Sequence, residues 1–429
     1  MAEIATSTLD EVCELIVDCP HFTPEWTERG YIVIRNQNIR DGRLDLSSKS
    51  FTNKVDFERR TKRAKPQAGD IIFTREAPMG EVCLIPNGLE CCVGQRQVLL
   101  RPGKNIDQKY LFYALQSPFV RHQIFWNEGT GSTVSNVRIP VLKALKIPRG
   151  HQNEEQIGSI LSVLDNKIDL NRRMNETLEA MARALFKDWF VDFGPTKAKM
   201  AGRPPYLAPE IWSLFPDRLD DDGKPKGWKA FQLNQIAEHH KCTLKPSAVP
   251  DELFEHFSLP AFDKTQSPAL DYGSTIKSNK TIVPPEAVLL SKLNPEIPRV
   301  WLTEGTDTNR QIASTEFLAF TAKEDFGRGL LFSLFLDRRF REILLSMVTG
   351  TSKSHQRISP PSLMRREVIV GDEEMFSQFQ TVVEPMLKRI CSNRAETRTV
   401  AQTRDFLLPK LMSGEIGVAD AEQSAQEAR

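Results

Sequence analysis

Two stretches of this chain carry apolar residues at intervals that alternate between four and three. One runs Ile157, Leu161, Leu164, Ile168, Asn171, Asn175, Leu178, Ala182, Leu185, Trp189. The other runs Phe376, Phe379, Val383, Met386, Ile390, Asn393, Thr397, Val400, Arg404, Leu407, Leu411. A period of 3.5 predicts a long helix burying a narrow seam against another helix. Each helix of about 37 residues would be about 55 Å long. A lone stripe must be covered, and the matching stripe in the chain is the other one. Asn153, three residues before Gln156, is a capping-box variant at the first start, and Asp372 is the predicted cap of the second. Pro385 lies inside the second stripe and is expected to kink the helix or end its first turns.

Asn171 and Asn175 interrupt the first seam at its middle, and Asn393 and Thr397 interrupt the second at its middle. Flanked by Leu164, Ile168, Leu178 and Ile390, these residues predict a polar layer that costs stability and fixes register. Leucine at both 171 and 175 is expected to raise stability and loosen helix alignment. The layer meets itself in either direction, so it does not set the helix orientation.

The chain of 429 residues is long enough for several domains. It repeats once. "PQAGDIIFTR" (66–75) answers "PPEAVLLSK" (284–292), "GTGSTVSNVRIP" (129–140) answers "TGTSKSHQRISP" (349–360), and "EEQ" at 154–156 answers "EEM" at 373–375. An offset this long marks a duplicated domain rather than a solenoid. Residues 1–150 read as β-rich, with strand-like runs "YIVIRNQNI", "GDIIFTR", "EVCLIP" and "QVLLRP" and a helical run at 108–126. Residues 228–370 repeat this with "AVLLSKL", "EFLAFTA" and the helical "LLFSLFLDRRFREILLSMV". The long helices occupy 151–193 and 371–413. Residues 194–227, rich in Pro, Gly and charge, read as a linker, and 414–429 as a polar, disordered tail.

Net charge is only +1, so the totals do not announce a nucleic-acid partner. Basic residues do outnumber acidic ones in 1–150, where "RRTKRAK" (59–65) is either a solvated loop or a phosphate-contacting patch. The seven cysteines are odd in number and form no CxxC, which points to reduced, buried thiols in a cytoplasmic protein without a zinc site. No signal segment or long apolar run calls for a membrane.

Three stretches imitate catalytic motifs. "RPPY" (203–206) has Arg203 where adenine methyltransferases place an asparagine, and arginine only donates. "PDRLDDDGK" (216–224) imitates a nuclease core, but too few residues separate Asp217 from Asp222 for a second strand. "GTGS" (129–132) lacks the lysine of a phosphate-binding loop. His239 and His240 read as a surface pair.

"GDIIFTREAPMGEVCLIP" with "VGQRQVLLRP", "NEEQIGSILSVLDNKIDLNRRMNETLEAMARALFKDWFVDF", "LFPDRLDDDGKPKGW" and "TRDFLLPKLMSGEI" together resemble the specificity subunit of Type I restriction-modification systems. The resemblance spans nearly the whole chain. One departure is "EAVLLSK", where the family pattern would place "GD" before the strand. The resemblance implies an α+β fold: two β-rich target-recognition domains separated by two long antiparallel coiled-coil helices, related by a pseudo-twofold internal repeat. It implies a non-catalytic subunit that reads double-stranded DNA. Its partners would be two modification subunits, which bind S-adenosylmethionine, and restriction subunits, which use ATP and Mg²⁺. A modification-subunit helix docking at the asparagine level is a further outlet for those amides. The alternatives are a standalone adenine methyltransferase or nuclease, and a coiled-coil scaffold that reads no DNA.

Half-sites on one face of B-DNA recur every 34–36 Å. A spacer of the predicted length could therefore set a fixed gap between two short recognised segments. Base reading needs Arg, Lys, Asn or Gln at groove edges. The candidates beside the predicted strands are Arg35, Asn36, Arg75 and Arg96 in the first half, and Lys292, Arg299 and Arg310 in the second.

Overall fold

The computed structural model describes residues 5–126, 136–149, 153–305, 308–348 and 356–427. The chain forms two compact units, one of residues 1–168 with 399–429 and one of residues 169–398. Both long helices form, as Glu154–Phe186 and Glu373–Ser413, and each contributes residues to both units.

In the first unit, one four-stranded sheet has the order Cys13–Asp18, Gln97–Pro102, Ile71–Thr74, Val82–Leu84. A second has the order Cys91–Val93, Tyr31–Ile34, Ser50–Thr52, Trp26–Thr27. Helices Gln108–Gln116 and Pro118–Trp126 bury Tyr110, Leu111, Leu115 and Val120 beneath the first sheet. The same core takes Leu161, Leu164 and Ile168 from the first long helix and Val400, Leu407 and Leu411 from the second. Gly158 permits the close approach: a Cβ there would stand 2.7 Å from the backbone N of Tyr110.

The second unit repeats the plan. The strands Ala237–His240, Phe317–Ala322, Val288–Ser291 and Val300–Leu302 form a sheet of matching order. Helices Arg328–Leu336 and Arg338–Ser346 follow. Here the glycines sit on the short helix: Gly327 and Gly329 face Gln380 and Val383 of the second long helix. Duplication kept the contact and moved the small residue to the other partner. The missing "GD" is likewise a paired change. Asp70 of the first half is buried and receives two hydrogen bonds from Arg101, at 2.9 and 2.8 Å. Strand register puts Ala287 and Thr321 at the corresponding positions, so both charges are gone.

Within each unit the helix segments run antiparallel. Asp165 pairs with Arg404 in the first unit at 2.6 Å. In the second, Asn171 meets Asn393, Phe186 meets Phe379 and Phe190 meets Phe376.

Several expectations change. The second helix continues unbroken through Pro385. Pro385 and Thr381, whose carbonyl loses its donor, lie on the exposed face, where water can take that oxygen. The buried seam passes through Leu387 rather than Met386, and through Phe186 rather than Leu185. A π-helical turn at Lys187–Val191 follows, and Trp189, Phe190 and Val191 all become buried. Residues 194–227 are not loose. They form helices Gly194–Met200 and Pro209–Leu214 and send Phe215 against Trp189. The tail is ordered too: Val418–Glu427 is a helix whose Ala421 and Ala425, one turn apart, enter the first unit's core. The runs 108–126 and 330–348 each break into two helices, at Ser117–Pro118 and at the capping Asp337.

Candidate nucleic-acid interface

In the first unit, strands Tyr31–Ile34 and Cys91–Val93 pair in parallel, with Val93 opposite Ile34. Parallel pairing makes both chains leave the sheet at one end. Arg35-Asn36-Gln37 and Gly94-Gln95-Arg96 therefore emerge side by side. Gly94 is needed because a Cβ there would lie 2.3 Å from the carbonyl oxygen of Ile34. With Trp26 and Ala77 these segments line a cavity of about 500 Å³. Arg35, Asn36 and Arg96, three of the four first-half candidates, thus come together.

Their surroundings differ. The Arg35 guanidinium lies 5.3 Å from the centroid of the half-exposed Trp26 ring. The Arg35 backbone is held by the buried Asn38, whose Oδ1 accepts its N–H at 2.9 Å. Asn36 is committed internally: its Nδ2 donates to the Glu76 carbonyl at 2.5 Å, and its Oδ1 accepts from Gln97 at 2.9 Å. Arg96 is mostly exposed, faces Glu76 at 3.4 Å and holds φ +65°. The cavity wall includes Arg60, which is 4% exposed and donates to the carbonyls of Val93 and Phe22. Arg60 comes from the basic run 59–65, so part of that run is structural. Arg59 also lies over Phe22, and Lys65 pairs with Glu90 at 2.6 Å.

Arg75 lies elsewhere. Its guanidinium donates to both Asp18 carboxylate oxygens at 2.9 Å and to the Val137 carbonyl, and its side chain is only 12% exposed. In the second unit Arg299 is similarly held by Asp263 at 2.7 and 2.9 Å, and Arg310 by Glu252 at 2.9 and 2.6 Å. Lys292 is half-buried beyond strand Val288–Ser291. None of these three lines the cavities described here. The second unit also has a parallel pair, Leu253–Phe257 with Arg310–Ser314. Its exit is closed differently: Ser258 caps helix Leu259–Thr265, which packs Phe262 on Trp301.

The helix layer assembles most of its predicted members. Asn171 and Asn393 are fully buried. Asn171 Nδ2 donates to Glu396 at 2.9 Å, and Asn393 Nδ2 donates to Asn175 Oδ1 at 2.8 Å. The Oδ1 atoms of Asn171 and Asn393 have no protein partner. Ile390 is buried beside the layer and Leu178 is partly buried against the same core. Leu164 and Ile168 belong to the first unit's core. Thr397 instead lines a small cleft with Arg172 and Glu179. Sequence reasoning missed Glu396, Trp26, Gln37 and Gln95. Only the shared exit of two parallel strands brings Gln37 and Gln95 to the candidates, and Trp26 joins them from the edge strand Trp26–Thr27.

The imitated motifs are ordinary structure. Tyr206 donates to Asp188 at 2.9 Å. Asp220 closes a turn by accepting from the N–H groups of Asp222 and Lys224. "GTGS" lies outside the described residues. His239 and His240 are half-buried rather than a surface pair: His239 lies against Phe320, and His240 bonds Thr321 at 2.7 Å. All seven cysteines are free, and five are buried. Among the described residues no group of three His, Cys, Asp or Glu could hold a metal, and no helix is long and apolar enough to cross a membrane.

A duplicated β-rich domain braced by paired long helices, with a cavity lined by Arg35, Asn36 and Arg96 at a sheet exit, is an architecture suited to recognition. Residues 1–180 match the family model described as Type I restriction modification DNA specificity domain. The specificity subunit of Type I restriction enzyme MjaIX from Methanocaldococcus jannaschii is 27% identical over 82% of this chain and 78% of its own length. That of HindI from Haemophilus influenzae is 23% identical over 85% and 90%. The crystal structure of a Type-I restriction-modification S subunit from M. genitalium shares the fold, with a TM-score of 0.56 and 14% identity, covering 96% of this chain and 97% of that one. Residues 1–180 are thus similar to a DNA specificity domain, and most of the chain is similar to Type I restriction enzyme specificity subunits.

Proposed function

We propose that this chain is a Type I restriction-modification specificity subunit that reads a bipartite target, one short segment through each recognition domain, and catalyses nothing itself. In this reading it binds double-stranded DNA inside the cell. It directs two modification subunits, which bind S-adenosylmethionine, and restriction subunits, which use ATP and Mg²⁺. The observation that carries the reading is duplication with divergence. The same sheet order occurs twice, yet the exits of the two parallel strand pairs carry unlike side chains. Two copies of one scaffold with different reading ends suit two different half-sites.

Methylome sequencing of cells with and without the chain tests this. The expected result is a two-part methylated motif with a gap of fixed length that disappears with the chain. Purified chain alone, given DNA, S-adenosylmethionine and Mg²⁺, is expected neither to methylate nor to cleave. Activity from the isolated chain, or a methylation pattern indifferent to it, would overturn the reading. Insertion of one heptad in both long helices is expected to lengthen the gap, as read from the same methylome.

A further inference from the structure

Among the seven candidate DNA contacts, the cations are not equally available. Arg75, Arg299 and Arg310 each spend their planar face on a carboxylate. Arg96 faces Glu76, and Lys292 is a half-buried point charge. Arg35 is exposed, with no carboxylate at salt-bridge distance among the described residues. Trp26 supplies its guanidinium a face to lie on, and Asn38 clamps its backbone while donating to the carbonyls of Asp45 and Ser48, both at 2.8 Å. A stacked arginine loses less freedom on forming a paired hydrogen bond than an unrestrained one.

We propose that Arg35 reads a guanine in the first half-site, while Asn36 is a positioning residue that holds the reading segment. This rests on the bipartite reading above. The guanidinium fork matches guanine O6 and N7 in the major groove. Asn36 has the chemistry to read adenine, but its amide oxygen and nitrogen already tie the segment to Gln97 and to the Glu76 carbonyl. Gln37, exposed on the same segment, flanks Arg35 in the cavity wall. The second unit builds no such reader at the corresponding strand exit, where Phe262 packs on Trp301.

The test uses the whole complex with its modification subunits and a pool of DNA targets in which every position of both half-sites is varied. Methylation of each target is counted for wild type, Arg35→Ala, Arg35→Lys and Trp26→Ala. For Arg35→Ala the expected result is loss of guanine preference at one position of the first half-site. Discrimination there should fall about 5- to 150-fold, the worth of one bidentate base contact. The second half-site should be unchanged. Arg35→Lys should keep only part of the preference, because its ammonium can still reach guanine O6 and N7 but lacks the planar fork that Trp26 orients. Trp26→Ala should weaken the preference in part.

A uniform drop in methylation with the motif intact would make Arg35 a phosphate contact and overturn the proposal. So would an unchanged motif with Arg35→Ala. If wild-type complex itself shows no bipartite motif, it is the proposed function that fails, and that result precedes any variant. Arg35→Ala removes an exposed side chain, so its melting temperature should match wild type. A large fall in melting temperature would assign Arg35 a structural role instead.

Discussion

Asn171, Asn175 and Asn393 form a network rather than three separate flaws in a seam. Leucine at 171 and 175 looks stabilising from the sequence, because each replaces an amide in an apolar row. The structure reverses the sign. Asn393 is fully buried and donates to Asn175, so the double variant would strand its amide. An orphaned buried donor costs about 1–3 kcal/mol. Asn171→Leu with Asn175→Leu is therefore expected to lower the urea midpoint, and adding Asn393→Leu should recover it. A double variant more stable than wild type would show that the layer is loosely packed. His239 supports a second residue-scale expectation. Burial, with the positive charges of Lys241 and Lys292 nearby, lowers its pKa from 6.5 to about 4. The folded state resists protonation that the unfolded chain accepts. The contribution of His239 is thus complete above pH 6.5 and is lost as pH falls toward 4. His239→Phe should flatten the fall in urea midpoint across that window.

At the scale of elements, the long helices were legible because a 3.5-residue period and polar interruptions are local signals. Strands such as Ile71–Thr74 were legible because both faces are buried and the run is continuously apolar. Three errors share one cause. Phe215 in the linker, Ala421 and Ala425 in the tail, and Leu387 in the helix are buried by partners distant in sequence, which no window of residues reveals. Arg75 and Arg299 show the same limit at the candidate interface: sequence places them beside strands, and only tertiary contact shows that Asp18 and Asp263 hold them. The close crossing at Gly158 gives a test of element packing. A Cβ there would meet the backbone and side chain of the helix start at Asp107, Lys109 and Tyr110. Gly158→Ala removes a residue of poor helix propensity, yet overpacking typically costs about 1–3 kcal/mol. The net expectation is a lower melting temperature. At the matching repeat position, Ser377→Ala should have little effect.

On the bipartite reading proposed above, duplication would let one chain hold two readers that change independently. Replacing residues 1–150 by the corresponding domain of a Type I specificity subunit should then change one half-site and leave the other intact, as read from the methylome. The boundary needs care. The first unit's core draws on Leu9, Leu100, Tyr110 and Leu142, and also on Leu161, Leu407 and Ala421. A donor domain must present an apolar face of similar shape to those last residues. Change in both half-sites would show that the readers are coupled.

The packed segment 194–227 bears on where such a chain could be joined to part of a relative. A recombination event that cuts within a flexible connector leaves both protein halves undisturbed. Here the connector is anchored at its end: Phe215 and Trp228 touch each other and Trp189 or Phe190 of the first long helix and its π-helical end. A crossover between residues 194 and 228 would marry an aromatic lock from one parent to a keyhole from another. Productive junctions should therefore fall outside this segment, so that the lock travels intact with its helix and new DNA specificities arise without rebuilding the frame.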